Sequence, residues 1–276
     1  MPSPTLFGIL NITEDSFSDG GAFLDPAAAL AQARRLHDDG AQVIDLGAAA
    51  SNIAARPVPA DEEIRRLDPV IAALQEAGIP VSIDSFAPEV QRFALSRGVA
   101  YLNDIHGFSE PALYPALSAA ECRLVVMHAV SARGRAEPVD LSAAAAMRHV
   151  DEFFDARLAA LETAGIARDR LIIDPGMGFF LSSAATASLR VLARIAGLKR
   201  RFGLPVMVSV SRKSFLGAVT GQRDPAERGA ATLAAELFAA MEGVDYIRTH
   251  DPAALSDGLK VLAALRGEAG QWNARR

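Results

Sequence analysis

Apart from its hydrophobic residues, the sequence has few features that could stabilise a folded protein. Cys122 is the one cysteine among 276 residues, which excludes an internal disulfide bond. No apolar run reaches the ~18 residues that a membrane-spanning helix needs, because charged or turn residues interrupt every run. Acidic residues outnumber basic ones, and the formal net charge of -5 argues against a general nucleic-acid surface. No charged-then-apolar leader precedes the first strand-like run, so we expect a cytoplasmic protein.

The chain does have enough apolar sequence for a large core. Half of its residues are hydrophobic and 22% are charged. Its length is typical of a single α/β barrel. We therefore expect one domain spanning residues 1–276.

Short runs of β-forming residues recur along the chain. Eight are present: Leu6–Leu10, Gln42–Leu46, Val81–Asp84, Tyr101–Asp104, Leu124–His128, Leu171–Asp174, Val206–Ser209 and Tyr246–Thr249. Between them lie segments with helical spacing, such as Ala27–Leu36, Glu62–Gln75, Met147–Leu161, Leu189–Lys199 and Ala230–Met241. Apolar strands that alternate with helices predict a parallel sheet, and closure into a (β/α)8 TIM barrel would remove both of its edges. An open doubly wound sheet is the alternative.

Nearly every predicted strand has a polar side chain at its carboxyl end or just after it. The residues at these positions are Asn11 and Thr13, Asp45, Asp84, Asn103 with Asp104, His128 beside the apolar Met127, Asp174, Ser211 to Lys213, and Arg248 with His250. In a barrel, the carboxyl ends of the strands converge on one mouth, where active sites are built. A lone aspartate there commonly caps the next helix. The recurrence at strands three, four and six instead predicts that Asp84, Asn103 and Asp174 share one cavity.

The chemistry of these three side chains suits a flat, nitrogen-rich ring. Carboxylates and an amide match the adjacent N–H donors and acceptors of a pterin or a purine, while Met127 and Phe179 supply apolar faces. A metal site is the alternative for facing carboxylates, but it would leave the amide of Asn103 without a purpose. Two adjacent aromatic residues, Phe179 and Phe180, would be costly if both were solvated, so we expect one of them to line a ligand.

A second group of residues predicts an anion pocket. Arg212 and Lys213 follow a buried strand at the place where barrels commonly bind phosphate groups. Arg248 and His250 lie at the carboxyl end of the next strand and add to this pocket. His250 on its own could equally cap a helix.

Taken together, these motifs resemble those of dihydropteroate synthases. They are Asn11-Ile12-Thr13 running to Asp15-Ser16-Phe17-Ser18-Asp19-Gly20-Gly21, Ser82-Ile83-Asp84-Ser85, Asn103-Asp104-Ile105, Met127-His128, Asp174-Pro175-Gly176, Ser211-Arg212-Lys213 and Arg248-Thr249-His250. The motifs occur in order along most of the chain, with one motif at nearly every strand. The resemblance implies that 6-hydroxymethyl-7,8-dihydropterin diphosphate condenses with 4-aminobenzoate, with the help of Mg2+, to give 7,8-dihydropteroate and diphosphate. A homodimer is also implied.

The resemblance also implies roles for individual residues. The implied pterin-binding residues are Asp84, Asn103, Ile105, Met127, Asp174, Phe179 and Lys213. The residues implied to bind the diphosphate are Asn11, Arg56, Arg248 and His250, and Asn11 is also implied to bind the metal. The implied aminobenzoate-binding residues are Pro57, Phe179, Phe180, Ser211, Arg212 and Lys213. The catalytic residues it implies are Asp84, Asp174, Lys213 and Arg248.

Departures from the family pattern cluster near the implied aminobenzoate site. The usual Gly-Gly-Glu-Ser-Thr-Arg-Pro after Asp45 is replaced by a longer stretch that ends at Arg56-Pro57, and Phe179-Phe180-Leu181 replaces the usual Phe-Gly-Lys. Ser209 stands where Gly commonly precedes the Ser-Arg-Lys run. This pattern is similar to that of the sulfonamide-insensitive Sul-type enzymes and their chromosomal relatives, and an extra Phe could exclude the bulkier drug. A methyltetrahydrofolate-dependent methyltransferase and a non-catalytic pterin-binding paralogue are the alternative functions.

Overall fold

The computed structural model describes residues 3–13, 25–49, 57–131, 139–221 and 224–274. Eight strands occur in these ranges: β1 (Thr5–Asn11), β2 (Val43–Gly47), β3 (Val81–Asp84), β4 (Tyr101–Asp104), β5 (Arg123–Met127), β6 (Leu171–Asp174), β7 (Met207–Val208) and β8 (Tyr246–Thr249). They form one parallel sheet in the order β6, β5, β4, β3, β2, β1, β8, β7. A bridge between Ile173 of β6 and Val206 beside β7 nearly closes it. The predicted (β/α)8 barrel is confirmed, and the open doubly wound alternative is wrong.

Helices connect the strands and cover the outside of the barrel. Their bounds are α1 (Pro26–Asp38), α2 (Ala60–Glu76), α3 (Pro88–Ser96), α4 (Tyr114–Ala119), α5 (Ala143–Thr163), α6 (Ala185–Leu192), α7 (Ile195–Phe202), α8 (Ser214–Thr220), α9 (Gly229–Met241) and α10 (Pro252–Ala274). None of the helices described here is long and apolar enough to cross a membrane.

The first helix illustrates how local sequence produces this arrangement. Asp25 caps α1 by accepting a hydrogen bond from the backbone N–H of Ala28, and Pro26 occupies the first turn, where no N–H is needed. Ala29, Ala33 and Leu36 are spaced three or four residues apart and are all buried. That spacing places one apolar stripe of the helix against the sheet, and the main core lies in this layer between helices and strands.

The inside of the barrel changes character along its axis. Near the amino ends of the strands, the rings of Phe7, Tyr101 and Tyr246 pack edge to face, with centroids between 4.9 and 6.2 Å apart. Side chains two residues apart on a strand share a face, so Asn103 of β4 and Arg248 of β8 point the same way as the two tyrosines. The barrel therefore has an aromatic floor and, at the carboxyl ends of its strands, a polar mouth.

The predicted strands β3, β4, β6 and β8 have the predicted bounds, but the predicted helix Leu189–Lys199 is wrong. It is divided between α6 and α7, which are separated by a turn at Ala193 and Arg194. The buried residues Val191, Leu192, Ile195 and Leu198 keep the spacing of one continuous helix across that turn. Hydrophobic periodicity therefore carried no sign of the break.

Candidate active site

Arg248 lies at the centre of the polar mouth. Its Nη2 donates a hydrogen bond to Oδ2 of Asp84 at 2.7 Å, and its Nε donates to Oδ2 of Asp45. The Arg248 side chain is only 14% exposed and Asp45 is fully buried, so both ion pairs are largely shielded from water. The guanidinium therefore joins the ends of β2, β3 and β8 into one rigid group.

The charges of this group are set by opposing effects. Burial raises the pKa of the Asp84 carboxyl to about 6, while the Arg248 guanidinium opposes the rise. Burial acts to lower the pKa of Arg248, but Asp45 and Asp84 outweigh it and raise that pKa above its usual range. Arg248 thus stays cationic, and Asp84 is an anion at neutral pH.

Asp45 is the residue of this group for which the sequence indicates no role. It is one of several polar residues at strand ends, and no motif distinguishes it from a helix cap. Asp45 pairs in register with Ile9 of β1 and Ser82 of β3, in the interior of the sheet. It meets an arginine 203 positions away in sequence because β2 and β8 both pair with β1 in the sheet.

Asp174 at the end of β6 and Lys213 after β7 complete the mouth. Oδ1 of Asp174 accepts a hydrogen bond from the Gly176 backbone N–H at 2.8 Å. Nζ of Lys213 donates to the Met177 carbonyl at 3.2 Å and lies 4.9 Å from the centre of the Phe180 ring. Burial lowers the pKa of Lys213 to about 8, and the nearby Asp174 opposes that effect. The lysine is therefore mostly cationic at neutral pH and close to deprotonation above it.

Asn103 offers an unmatched acceptor on the inner face of the barrel. It stands in register with Asp84 on the neighbouring strand. Its Oδ1 is buried without a hydrogen-bond partner among the described residues, as is Oδ1 of Asp45. Buried oxygens normally find a donor, so these two favour a ligand that brings N–H groups. Ile105, which directly follows β4, and Met127, at the end of β5, are also buried and supply apolar surface.

Asn11 extends the mouth next to Asp84. A Cβ atom added at Gly47 would lie 3.4 Å from Oδ1 of Asn11 and 3.9 Å from Cβ of Asp84. The amide of Asn11 is thus at the carboxyl end of β1, within reach of a group bound over Asp84. Within the described ranges, no group of three or more His, Cys, Asp or Glu side chains could hold a metal ion.

Comparison with known proteins agrees with this geometry. Residues 7–250 match the pterin binding enzyme family. The type-2 dihydropteroate synthase of Escherichia coli is 60% identical over 264 residues, which cover 96% of this chain and 97% of that protein. The type-3 enzyme of the same organism is 51% identical over 260 residues and covers 94% of this chain and 98% of that protein. This chain belongs to the dihydropteroate synthase family.

Solved structures of the family have the same fold. Xanthomonas albilineans dihydropteroate synthase with 4-aminobenzoic acid superposes with a TM-score of 0.85 at 37% identity, covering 96% of this chain and 93% of that one. The same enzyme in complex with 7,8-dihydropteroate gives 0.80 at 33% identity, with the same coverage. The Yersinia pestis dihydropteroate synthase, in a sulfonamide drug complex, gives 0.86 at 30% identity, covering 96% of this chain and 95% of that one.

The second predicted group, after β7 and β8, lies beside the mouth of this dihydropteroate synthase fold. Nδ1 of His250 is 2.9 Å from Oγ of Ser211, which also accepts the backbone N–H of His250 at 3.2 Å. Burial lowers the pKa of His250 to about 3, and the cations Arg212 and Arg248 act in the same direction. His250 is therefore neutral and can bind an anion only as a hydrogen-bond donor.

Arg212 has a strained backbone that its neighbours hold in place. Its φ of 59° lies in the left-handed region, which side chains other than glycine seldom adopt. Its N–H donates to Oγ1 of Thr232 at 2.9 Å, and its carbonyl accepts from Arg228 at 2.7 Å. The turn that directs Lys213 into the mouth is thus anchored to α9 and the segment before it.

The residues implied at the aminobenzoate site are more exposed. Phe179 and Phe180 end a short 3-10 turn, Gly178–Phe180, in which Phe179 is 44% exposed and Phe180 is half-buried beside Lys213. Pro57 is exposed shortly before α2. Arg56 and the rest of the longer stretch after Asp45, residues 50–56, lie outside the described residues.

A buried polar network behind the mouth is not predictable from the sequence. The Asp104 carboxylate accepts hydrogen bonds from the N–H groups of His106 and Phe108 and from the Gln91 side chain. Nε2 of Gln91 also donates to the Ser85 carbonyl at 2.8 Å. Gln91 of α3 therefore ties together the ends of β3 and β4, which carry Asp84 and Asn103. A lone glutamine within a helix gives no sequence signal of such a role.

Proposed function

We propose that this chain condenses 6-hydroxymethyl-7,8-dihydropterin diphosphate with 4-aminobenzoate and releases diphosphate. The observation that carries the proposal is the single mouth in which Arg248 is paired with Asp84 and lies close enough to Asp174 and Lys213 to interact with both. Relatives with more than half of their residues identical carry the same activity in their names. The methyltransferase and non-catalytic alternatives have no comparable support.

In this proposal, the mouth binds the pterin ring by its edge. The carboxylates of Asp84 and Asp174 accept ring N–H groups, the unmatched Oδ1 of Asn103 accepts another, and Lys213 donates to a ring acceptor. Ile105, Met127 and Phe179 supply apolar contacts to the ring faces. The anionic side chains also stabilise the electron-poor pterin that forms as its bond to diphosphate weakens.

The diphosphate would lie at the rim, near Asn11, Arg56, Arg248 and His250. Arg248 stays cationic and can neutralise the charge that grows on the departing oxygen. Asn11 is suited to Mg2+ as a single protein oxygen, because Mg2+ commonly keeps several waters and takes its other ligands from substrate phosphates. Mg2+ bound there would supply further charge neutralisation to the diphosphate.

The proposed reaction needs no protein nucleophile. The C–O bond of the hydroxymethyl group breaks ahead of the new bond, and its electron pair leaves with diphosphate. The nitrogen of 4-aminobenzoate then forms the C–N bond and loses a proton to solvent. The mouth contributes by holding the two substrates in line, which removes most of the entropic barrier.

For 4-aminobenzoate we propose a wall formed by Pro57, Phe179, Phe180, Ser211, Arg212 and Lys213. Lys213 is shared with the pterin side, so the aromatic amine would lie next to the reacting carbon. We extend the proposal to sulfonamide discrimination by the two phenylalanines, because a flat carboxylate and a tetrahedral sulfonyl group differ in bulk. Resistance is thus a steric property of this wall.

We further propose that residues 1–276 form a single cytoplasmic domain that assembles as a homodimer. Exposed apolar side chains on α9 and α10, such as Met241, Val261 and Leu265, supply a surface suited to self-association.

A turnover assay tests the proposed function. We expect diphosphate release that requires both the pterin diphosphate and 4-aminobenzoate, and that falls at least about a hundredfold in a Lys213→Ala variant. Diphosphate release that does not depend on 4-aminobenzoate, or methyl transfer from methyltetrahydrofolate to a corrinoid, would contradict it.

A further inference from the structure

The motif Met127-His128 contains a histidine that the proposed chemistry does not use. His128 directly follows β5 and its side chain is 0% exposed. A fully buried imidazole is costly unless its nitrogens are paired, so the position calls for an explanation.

His128 is joined to the Asp174–Gly176 turn through both its backbone and its side chain. Its backbone N–H donates to the carbonyl of Asp174 at 2.8 Å. Its Nδ1 lies 3.0 Å from the carbonyl oxygen of Pro175. A carbonyl can only accept, so Nδ1 carries the hydrogen and Nε2 is the unprotonated nitrogen.

The remaining features agree with a neutral ring that is held in one orientation. Burial lowers the pKa of His128 to about 4, so the imidazole is uncharged at neutral pH. Nε2 is buried and has no hydrogen-bond partner in the part of the chain that the structure describes. The ring of Phe153 packs edge-on against the imidazole, with centroids 5.2 Å apart. An apolar side chain would pack here without the unmatched lone pair, so packing alone does not account for a histidine.

The turn itself fits closely against His128. Gly176 has a φ of 70°, and a Cβ atom there would lie 2.3 Å from the His128 carbonyl oxygen. The N–H of the same glycine donates to Oδ1 of Asp174. Whatever fixes this turn also fixes the direction of the Asp174 carboxylate.

We propose that His128 is a positioning residue, which holds the Asp174–Gly176 turn through its Nδ1–H so that the Asp174 carboxylate is directed at the pterin ring. This inference rests on the proposed function, because it assumes that Asp174 binds the pterin. His128 acts through the turn and does not itself contact the substrate.

The test compares His128→Asn with His128→Leu. The two replacements have similar shape, but the Asn amide can place a donor where Nδ1 lies and Leu cannot. We expect Leu to weaken equilibrium binding of pteroic acid about tenfold or more, and Asn to remain within about threefold of the parent. The KM for the pterin substrate should change in the same way, while the KM for 4-aminobenzoate and kcat change less.

The proposal would be overturned if the Leu variant bound pteroic acid as tightly as the parent. It would also be overturned if the Asn and Leu variants lost the same amount of affinity. If the Leu variant fails to fold, His128→Gln replaces it, because its longer amide reaches the position of Nε2 rather than Nδ1. Nitrogen NMR of the parent provides a readout that does not depend on any variant. Protonated Nδ1 is the expected tautomer, and protonated Nε2 would refute the proposed bond.

The binding and turnover measurements separate this inference from the proposed function. A parent that binds pteroic acid but does not turn over contradicts the proposed reaction, while the variant comparison still tests His128. A parent that turns over, with a Leu variant that binds equally well, contradicts the role of His128 alone. A parent that does not bind pteroic acid overturns both.

Discussion

Arg248 is the residue around which the polar mouth is organised. It connects two carboxylates, on β2 and β3, that would otherwise repel each other inside the barrel. A buried charge without its partner is strongly unfavourable, so each member of this group depends on the others. A substrate diphosphate would meet an arginine that is already oriented.

The first prediction concerns Asp45, which holds Arg248 from within the barrel. Asp45→Asn removes the negative charge that is paired with Nε of Arg248. The guanidinium should then be less firmly oriented and less stabilised as a buried cation. We expect the KM for the pterin diphosphate to rise about tenfold or more. Steady-state kinetics measure the effect, and Asp245→Asn is the control because Asp245 is paired with Lys199 before the start of β8. Equal KM values in both variants would refute the role of Asp45.

The second prediction is a bell-shaped dependence of kcat/KM on pH. The pKa of Asp84 is raised to about 6, so its carboxylate is lost as the pH falls through that value. The pKa of Lys213 is lowered to about 8, so its charge is lost as the pH rises above it. The activity should therefore fall on both sides of neutral pH.

Lys213→Arg provides the control for the alkaline limb of this profile. Arginine stays charged throughout, so that limb should disappear even if the overall rate falls. An alkaline limb near pH 8 that persists in the variant would assign it to another group. Because these side chains interact, the two limbs belong to the site as a whole.

At the scale of single elements, the turn after β6 shows how the backbone sets the chemistry. The Asp174–Gly176 turn packs closely against the end of β5. The Pro175 carbonyl is hydrogen-bonded to Nδ1 of His128, and Gly176 lies against the His128 carbonyl. Strand ends in a barrel are placed by the sheet, but the directions of their last side chains depend on such turns.

The third prediction compares two glycines with similar backbone conformation. Gly176 and Gly203 have φ values of 70° and 61°, but only Gly176 has a neighbour that a Cβ atom would strike. Gly203→Ala should cost about 1 kcal/mol, or about 2 to 4 °C in Tm. Gly176→Ala should lower the Tm at least about twice as much and also weaken pteroic acid binding. Equal shifts in thermal melts would contradict the close fit of the turn.

The sequence predicted the fold better than it predicted the contacts within the site. Alternating apolar strands and helices specify a parallel barrel, and the rule that strand ends converge placed Asp84, Asn103 and Asp174 together. No local pattern indicates which carboxylate an arginine from a distant part of the sequence will meet, so the Asp45 pair went unassigned. The supporting role of Gln91 was equally invisible, because it depends on two strand ends that are distant in sequence.

Across the barrel as a whole, the residues that stabilise the core and the residues of the proposed site lie at different ends of the barrel axis. The aromatic floor formed by Phe7, Tyr101 and Tyr246 fills the amino end of the interior. Unmatched polar atoms such as Oδ1 of Asn103 and Oδ1 of Asp45 are found at the other end. Burying those atoms without a partner costs free energy, and a ligand bound in the mouth can offset this cost by donating hydrogen bonds to them.

The fourth prediction concerns selectivity of the whole enzyme for its aromatic substrate. Phe179→Ala and Phe180→Ala remove bulk from the proposed aminobenzoate wall. We expect inhibition by sulfamethoxazole to strengthen about tenfold or more in at least one variant, while the KM for 4-aminobenzoate changes less. Leu189→Ala, on the exposed surface of α6, is the control. Unchanged inhibition in both Phe variants would refute the steric account.

The most direct test of the central claim is a crystal structure of this protein with 7,8-dihydropteroate bound. We predict that the pterin ring lies in the polar mouth, with its polar edge toward Asp84, Asn103 and Asp174 and with Lys213 in contact. We also expect the aminobenzoate part to extend past Phe179 and Phe180. A pterin ring bound elsewhere, or in the mouth without contact to these carboxylates, would contradict it.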